Sequence, residues 1–66
     1  MKNQKLSERE LEIFRLREQG KLAKQVADEL EISVETVNDH CASIIRKMGA
    51  VNMMNAVSIG IRTGIL

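Results

Sequence analysis

The sequence contains no proline, tyrosine or tryptophan, and Phe14 is its single aromatic residue. Modules that bind single-stranded nucleic acid stack the bases on several aromatic side chains, so this composition disfavours RNA-recognition sheets and similar folds. Cys41 cannot form an internal disulfide, because the chain has no second cysteine. One cysteine and one histidine, His40, are too few for a zinc site. We therefore expect no metal, no cofactor and no dependence on an oxidising compartment.

Long apolar runs and a strong net charge are also missing. No stretch approaches the roughly 18 apolar residues of a membrane span, and residues 1–5 lack the apolar segment of a signal peptide, which predicts a cytoplasmic protein without membrane contact. Ten Lys and Arg residues against nine Asp and Glu residues give a net charge of +1, so charge alone would not hold the chain on nucleic acid.

A length of 66 residues allows one domain, residues 1–66, with a small core and no room for a large active-site cleft. No nucleophile–base pair, metal-ligand set or phosphate-binding loop is evident, so we expect neither an enzyme nor a small-molecule site.

Helical periodicity runs through the whole chain and predicts an all-α fold with four helices. Ser7 and Glu10 have the spacing of a capping box, Ser33 and Asn52 are natural N-caps, and Gly49 is a stop signal. The predicted helices cover about 8–19, 22–30, 34–48 and 53–63, after a short flexible segment at residues 1–5.

The third helix carries the clearest apolar seam. Its members, spaced three and four residues apart, are Val34, Val37, Cys41, Ile44 and Met48. We expect this seam to pack against Phe14, Val26, Ala27, Leu30 and Val57. The predicted inner face of the fourth helix consists of Ala56, Val57, Gly60 and Ile61. Cys41 is thus expected to be a small buried hydrophobe and His40 a structural histidine.

A short helix, a three-residue turn at 31–33 and a longer helix with a polar outer face form a helix-turn-helix layout over about 22–48. In DNA-binding proteins with this layout, the second helix lies in the major groove. The layout also occurs in bundles that bind other proteins. Geometry by itself therefore leaves DNA binding and protein interaction both open.

The residue pattern resembles the LuxR-type (GerE-type) helix-turn-helix domain, collinearly and without gaps from Leu6 to Leu66. The matching segments are LSERE at 6–10, Gly20, KQVA at 24–27, ISVETVNDH at 32–40, IIRKMG at 44–49, Asn52 and AV at 56–57. The resemblance implies a four-helix domain that binds double-stranded DNA and regulates bacterial transcription. It also implies the C-terminal position in a longer regulator, such as a response regulator or a quorum-sensing receptor, and a homodimer through the fourth helix.

The resemblance further implies which residues form the site. Those expected to read base edges are Asn38, Asp39 and Ala42. Those expected to contact the phosphate backbone are Lys24, Thr36, Arg46 and Lys47. Those expected at a dimer contact are Met54, Ser58 and Arg62.

Several positions depart from the family pattern. Residues 21–48 carry four basic and five acidic side chains, a net charge of −1, and Asp39 places a negative charge on the face expected to meet phosphates. Glu31 stands where many members have glycine. The competing prediction is therefore a protein-interaction module on the same fold, with weak or no DNA binding.

Overall fold

The computed structural model describes residues 5–66 and contains four helices within that range. They are α1 (Glu8–Glu18), α2 (Ala23–Leu30), α3 (Val34–Met48) and α4 (Met53–Thr63). The predicted helices and all-α class are confirmed, with bounds that differ by one residue at most. The flexible N-terminus predicted for residues 1–5 lies, except for Lys5, outside the described residues. Helix α3 packs against each of the other three helices and is the centre of the fold.

Side chains fix where three of the helices begin. The Ser7 hydroxyl accepts a hydrogen bond from the Glu10 amide at 3.0 Å, and the Glu10 carboxylate accepts one from the Ser7 amide at 2.9 Å. This is the capping box that the spacing predicted. Ser33 caps α3 by accepting the amide of Thr36 at 3.0 Å. Asn52 caps α4 in the same way. These caps satisfy backbone amides that have no partner within a helix.

Two positions of the helix-turn-helix core have a residue type that does not suit the local backbone. Leu22 stands at the N-cap of α2 but has no side-chain acceptor, so only the Gln25 carboxamide caps this end, by accepting the Leu22 amide at 2.8 Å. Glu31, which follows α2, has a φ of 58°. A left-handed conformation costs a non-glycine residue about 1–2 kcal/mol. Glu31 is thus a strained residue at the beginning of the turn that sets the direction of α3.

The core is a single cluster between α3 and the other helices. Its buried apolar members are Ile13, Phe14, Val26, Ala27, Val37, Cys41, Ile44 and Ala56. The expected burial of Val37, Cys41 and Ile44 is confirmed. Leu30, Met48 and Val57 pack against this cluster while remaining partly exposed.

Two expectations about the core were wrong. Val34 is 40% exposed, because the core is built on the later turns of α3 and the first turn extends past it. Ile61 is 57% exposed. The buried line of α4 runs through Ala56 and Gly60, and Ile61 lies about 100° further around the helix than Gly60.

Gly60 allows α4 to approach α1 closely. A Cβ atom at this position would lie 3.0 Å from the ring of Phe14 and 3.0 Å from Leu66 Cδ1. The Phe14 ring is fully buried and has little room to move. The absence of a side chain at Gly60 therefore sets the distance between these two helices.

Substituting Val37 with aspartate tests the packing of α3. Val37 is fully buried, so Val37→Asp would place an unpaired carboxylate in a small apolar core. We expect this variant to be unfolded at 25 °C, as measured by circular dichroism and thermal denaturation. A Val37→Asp protein with wild-type helicity and an unchanged thermal midpoint would contradict this packing.

Candidate nucleic-acid interface

Helix α3 has one buried face and one exposed face. Val37, Cys41 and Ile44 point into the core. The exposed side chains along the other face are Glu35, Thr36, Asn38, Asp39, Ala42 and Arg46. A helix of 15 residues is about 22 Å long. A helix with such a face fits the major groove of B-DNA, which is about 12 Å wide.

The three residues predicted to read bases all lie on this exposed face. Asn38 and Asp39 are adjacent, and Ala42 follows one turn later. Their groups differ in what they can recognise: an amide that can both donate and accept, a carboxylate that accepts, and a methyl group. The structure thus brings the predicted readers together in the middle of α3.

Two predicted phosphate ligands lie in the first turns of α2 and α3. Lys24 is the second residue of α2, and its side chain is exposed. Thr36 is the third residue of α3, where its Oγ1 atom accepts a hydrogen bond from the Ser33 hydroxyl at 2.9 Å. The hydroxyl hydrogen of Thr36 can then be donated outward. Helix N-termini attract phosphate groups, which suits both positions.

The other two predicted phosphate ligands, at the C-terminal end of α3, differ from each other. The Arg46 side chain is exposed, and its Nη2 atom donates to Ser43 Oγ at 3.4 Å. The Lys47 side chain is only 21% exposed, and its ammonium group donates to Glu10 Oε1 at 2.9 Å and to the Lys5 carbonyl at 3.4 Å. Arg46 therefore faces outward, whereas Lys47 is held against α1.

Glu10 contacts the C-terminal half of α3 through bonds that the sequence did not reveal. It is 6% exposed, and its second carboxylate oxygen accepts the Ser43 hydroxyl at 2.6 Å. Burial alone would raise the pKa of Glu10, but the hydrogen bonds from Ser43, Lys47 and the Ser7 amide outweigh it and lower the pKa to about 2. The capping-box spacing located its local bond. Its partners on α3, 33 and 37 positions away, have no local signature.

Acid should weaken the fold through Glu10. A carboxylate with a depressed pKa stabilises the folded state fully above its unfolded pKa of about 4.5 and loses that contribution as the pH falls toward 2. The lowered pKa corresponds to about 3 kcal/mol. We expect urea unfolding to show that the stability advantage of the wild type over Glu10→Gln shrinks between pH 5 and pH 2. An advantage that is constant over this range would contradict the ionised, hydrogen-bonded carboxylate.

The buried thiol of Cys41 fits the expected structural role. Burial raises the pKa of Cys41, with an opposing effect from the Arg17 guanidinium, whose Nη1 atom lies 3.8 Å from Sγ. A raised pKa keeps the thiol protonated and unreactive. His40 is partly buried. Across residues 5–66, no group of three or more His, Cys, Asp or Glu side chains is placed to hold a metal, and no helix could cross a membrane.

The predicted dimer residues lie on the outer side of α4. Met54 is 82% exposed, and Ser58 and Arg62 are also exposed. Ile61, which was expected inside the fold, lies on the same outer side as Met54 and Ser58. Met54, Ser58 and Ile61 follow a spacing of four and three residues. The helix therefore exposes two apolar side chains, Met54 and Ile61, on one side, with Ser58 between them.

The fold and sequence match those of known regulators. The chain aligns at 39% identity over 62 residues with the transcriptional activator protein BjaR1 of Bradyrhizobium diazoefficiens, covering 94% of this chain and 26% of that protein. It is also 39% identical over 59 residues to the spore germination protein GerE of Bacillus subtilis, covering 89% of this chain and 80% of GerE.

A solved structure gives the same result. The crystal structure of the response regulator ChrA, from a heme-sensing two-component system, superposes with a TM-score of 0.91 at 35% identity, over 100% of this chain and 33% of ChrA. The chain thus spans about a quarter of BjaR1 and a third of ChrA, but most of GerE. The family of bacterial regulatory proteins named luxR matches residues 4–59. The chain belongs to this family, as its helix-turn-helix core and capped α1 indicated.

Proposed function

We propose that this domain binds double-stranded DNA by placing α3 in the major groove, and that it is the DNA-binding output unit of a larger transcriptional regulator. The observation that carries the proposal is the exposed polar face of α3, set on a helix-turn-helix core of the luxR family. The role is regulatory and not catalytic. A protein that acts on the chromosome of a bacterium works in the cytoplasm, where we place it.

The chemistry of the α3 face suggests how bases would be read. Asn38 can form two hydrogen bonds with adenine, and Asp39 can accept from the amino group of cytosine. The methyl group of Ala42 can contact the methyl group of thymine. Phosphate contacts from Lys24, Thr36 and Arg46 would fix the position of α3 along the groove without reading sequence.

The number of available cations gives a measurable prediction. Lys24 and Arg46 are exposed, so we expect about two neutralised phosphates per protomer and a slope of log K against log salt of about −2 per protomer. Lys24→Gln and Arg46→Gln should each flatten this slope by about 0.9, as measured by fluorescence anisotropy on a duplex. Arg9→Gln, which changes an exposed arginine of α1, is the matched control and should leave the slope unchanged. Absence of duplex binding at low salt would favour the protein-interaction module.

Asp39 has two possible roles on this face, as a reader of cytosine or as a charge that repels phosphates. We favour repulsion, because Glu35 lies one turn away on the same exposed side of α3 and adds to the negative charge. Asp39→Ala should then bind both the operator and random DNA more tightly, with the larger gain at low salt, where screening is weakest. Asp28→Ala, on the exposed side of α2, is the control. A loss of affinity confined to the operator would identify Asp39 as a reader.

We also propose that two copies associate through α4 on DNA. The support is the pair of exposed apolar side chains, Met54 and Ile61, on one side of α4, together with the predicted contact residues Ser58 and Arg62. A two-fold dimer would match half-sites about one helical turn apart. Sedimentation on a two-fold-symmetric duplex should show two protomers for the wild type and a weakened second binding step for Met54→Glu. Val51→Glu, at an exposed apolar position outside α4, should behave as the wild type. One wild-type protomer at saturation would refute the dimer.

A further inference from the structure

Two neighbouring cations near the end of α3 have opposite surroundings. Arg46 is exposed, whereas most of the Lys47 side chain is buried and its ammonium group pairs with a carboxylate on α1. Both positions were expected to contact DNA phosphates. The structure therefore raises the question of which partner holds the charge of Lys47 when DNA is near.

Glu10 is built to retain Lys47. The carboxylate cannot turn away to solvent, because the Ser7 amide and the Ser43 hydroxyl hold its two oxygens at 2.9 and 2.6 Å. The Lys47 ammonium lies 2.9 Å from one of these oxygens and also donates to the Lys5 carbonyl at 3.4 Å. An ion pair that is mostly shielded from water is weakened by salt much less than an exposed one.

We propose that Glu10 is a specificity-determining residue, which withholds the charge of Lys47 from DNA phosphates and leaves Arg46 to act alone at this end of α3. The inference rests on the proposed DNA binding and deepens it. Phosphate contacts supply nearly all of the non-specific affinity of a DNA-binding protein. Retaining one cation inside the fold lowers the affinity for every sequence alike. The base contacts of α3 then make up a larger share of the total binding free energy.

Removing the charge of Glu10 should release Lys47 toward phosphates. We expect Glu10→Gln to steepen the salt slope on a random-sequence duplex by about 0.9 per protomer, which makes the gain in affinity about threefold larger at 50 mM than at 200 mM salt. The double variant Glu10→Gln/Lys47→Gln should return to the wild-type slope. Lys47→Gln alone should leave the slope unchanged, because the wild-type protein already withholds this charge.

The matched control is Glu8→Gln. Glu8 lies two residues earlier in α1, its side chain is exposed, and its substitution changes the net charge by the same amount. We expect Glu8→Gln to leave the salt slope unchanged. Circular dichroism identifies the folded variants. If Glu10→Gln is unfolded, the salt slope of Lys47→Gln compared with that of the wild type shows whether Lys47 contacts a phosphate while Glu10 is present.

Two results of the salt-slope measurements would overturn the proposal. One is a slope that flattens by about 0.9 in Lys47→Gln, because Lys47 would then contact a phosphate while Glu10 is present. The other is a folded Glu10→Gln protein with an unchanged slope, which would leave Glu10 with a structural role only.

Binding to heparin, a second polyanion, tests the role of Glu10 independently of DNA binding. If the wild type binds no duplex at 50 mM salt, the proposed function fails, and salt elution from immobilised heparin still tests the state of Lys47. Glu10→Gln should then elute at a higher salt concentration than Glu8→Gln, although the two variants have the same net charge. Elution at the same concentration would overturn the role of Glu10.

Discussion

The carboxylate of Glu10 joins the first turn of α1 to the last two turns of α3, and the position of the whole exposed face depends on this link. It accepts the Ser7 amide within α1, and it accepts Ser43 and Lys47 across the interface. Removing one partner of a buried ion pair leaves the other charge uncompensated, so such a link is difficult to alter. It complements a small core, which has eight buried apolar residues within residues 5–66. Together, the core and the carboxylate determine which side of α3 faces outward.

The turn before α3 and the start of α2, in contrast, contain features that cost stability. Glu31 adopts a left-handed backbone at a cost, and Leu22 provides no side-chain cap for α2. Both departures lie in the helix-turn-helix core, next to the surface that we propose contacts DNA. Local rules are most often broken near functional surfaces, where the rest of the structure compensates. Here the compensation comes from α3, which packs against all three other helices.

Much of this arrangement could be predicted from the sequence, because it depends on local signals. The caps at Ser7 and Ser33 fixed where helices begin, and the three-four spacing placed Val37 and Ile44 in the core. The errors at Val34 and Ile61 have different causes. Val34 lies on the predicted seam, but periodicity does not give how far the neighbouring helices extend along α3. Ile61 was assigned to an inner face that is wider than the buried line through Ala56 and Gly60.

Part of the candidate site could also be predicted from the sequence. Exposure of Asn38, Asp39 and Ala42 followed from the seam on the opposite side of α3. The different surroundings of Arg46 and Lys47 did not follow, because they depend on Glu10, which is distant in sequence and was recognised only as part of a capping box. A buried carboxylate with two long-range partners becomes visible only when the helices are assembled.

Titration of the ¹⁵N-labelled domain with duplex DNA, followed by two-dimensional NMR, shows directly whether the outer face of α3 binds DNA, as we propose. We expect the largest chemical-shift changes at the amides of Thr36, Asn38 and Ala42, with small changes at Leu11 and Arg15 on α1. Changes concentrated on α1, with an unperturbed α3, would show that the outer face of α3 is not the DNA-binding surface.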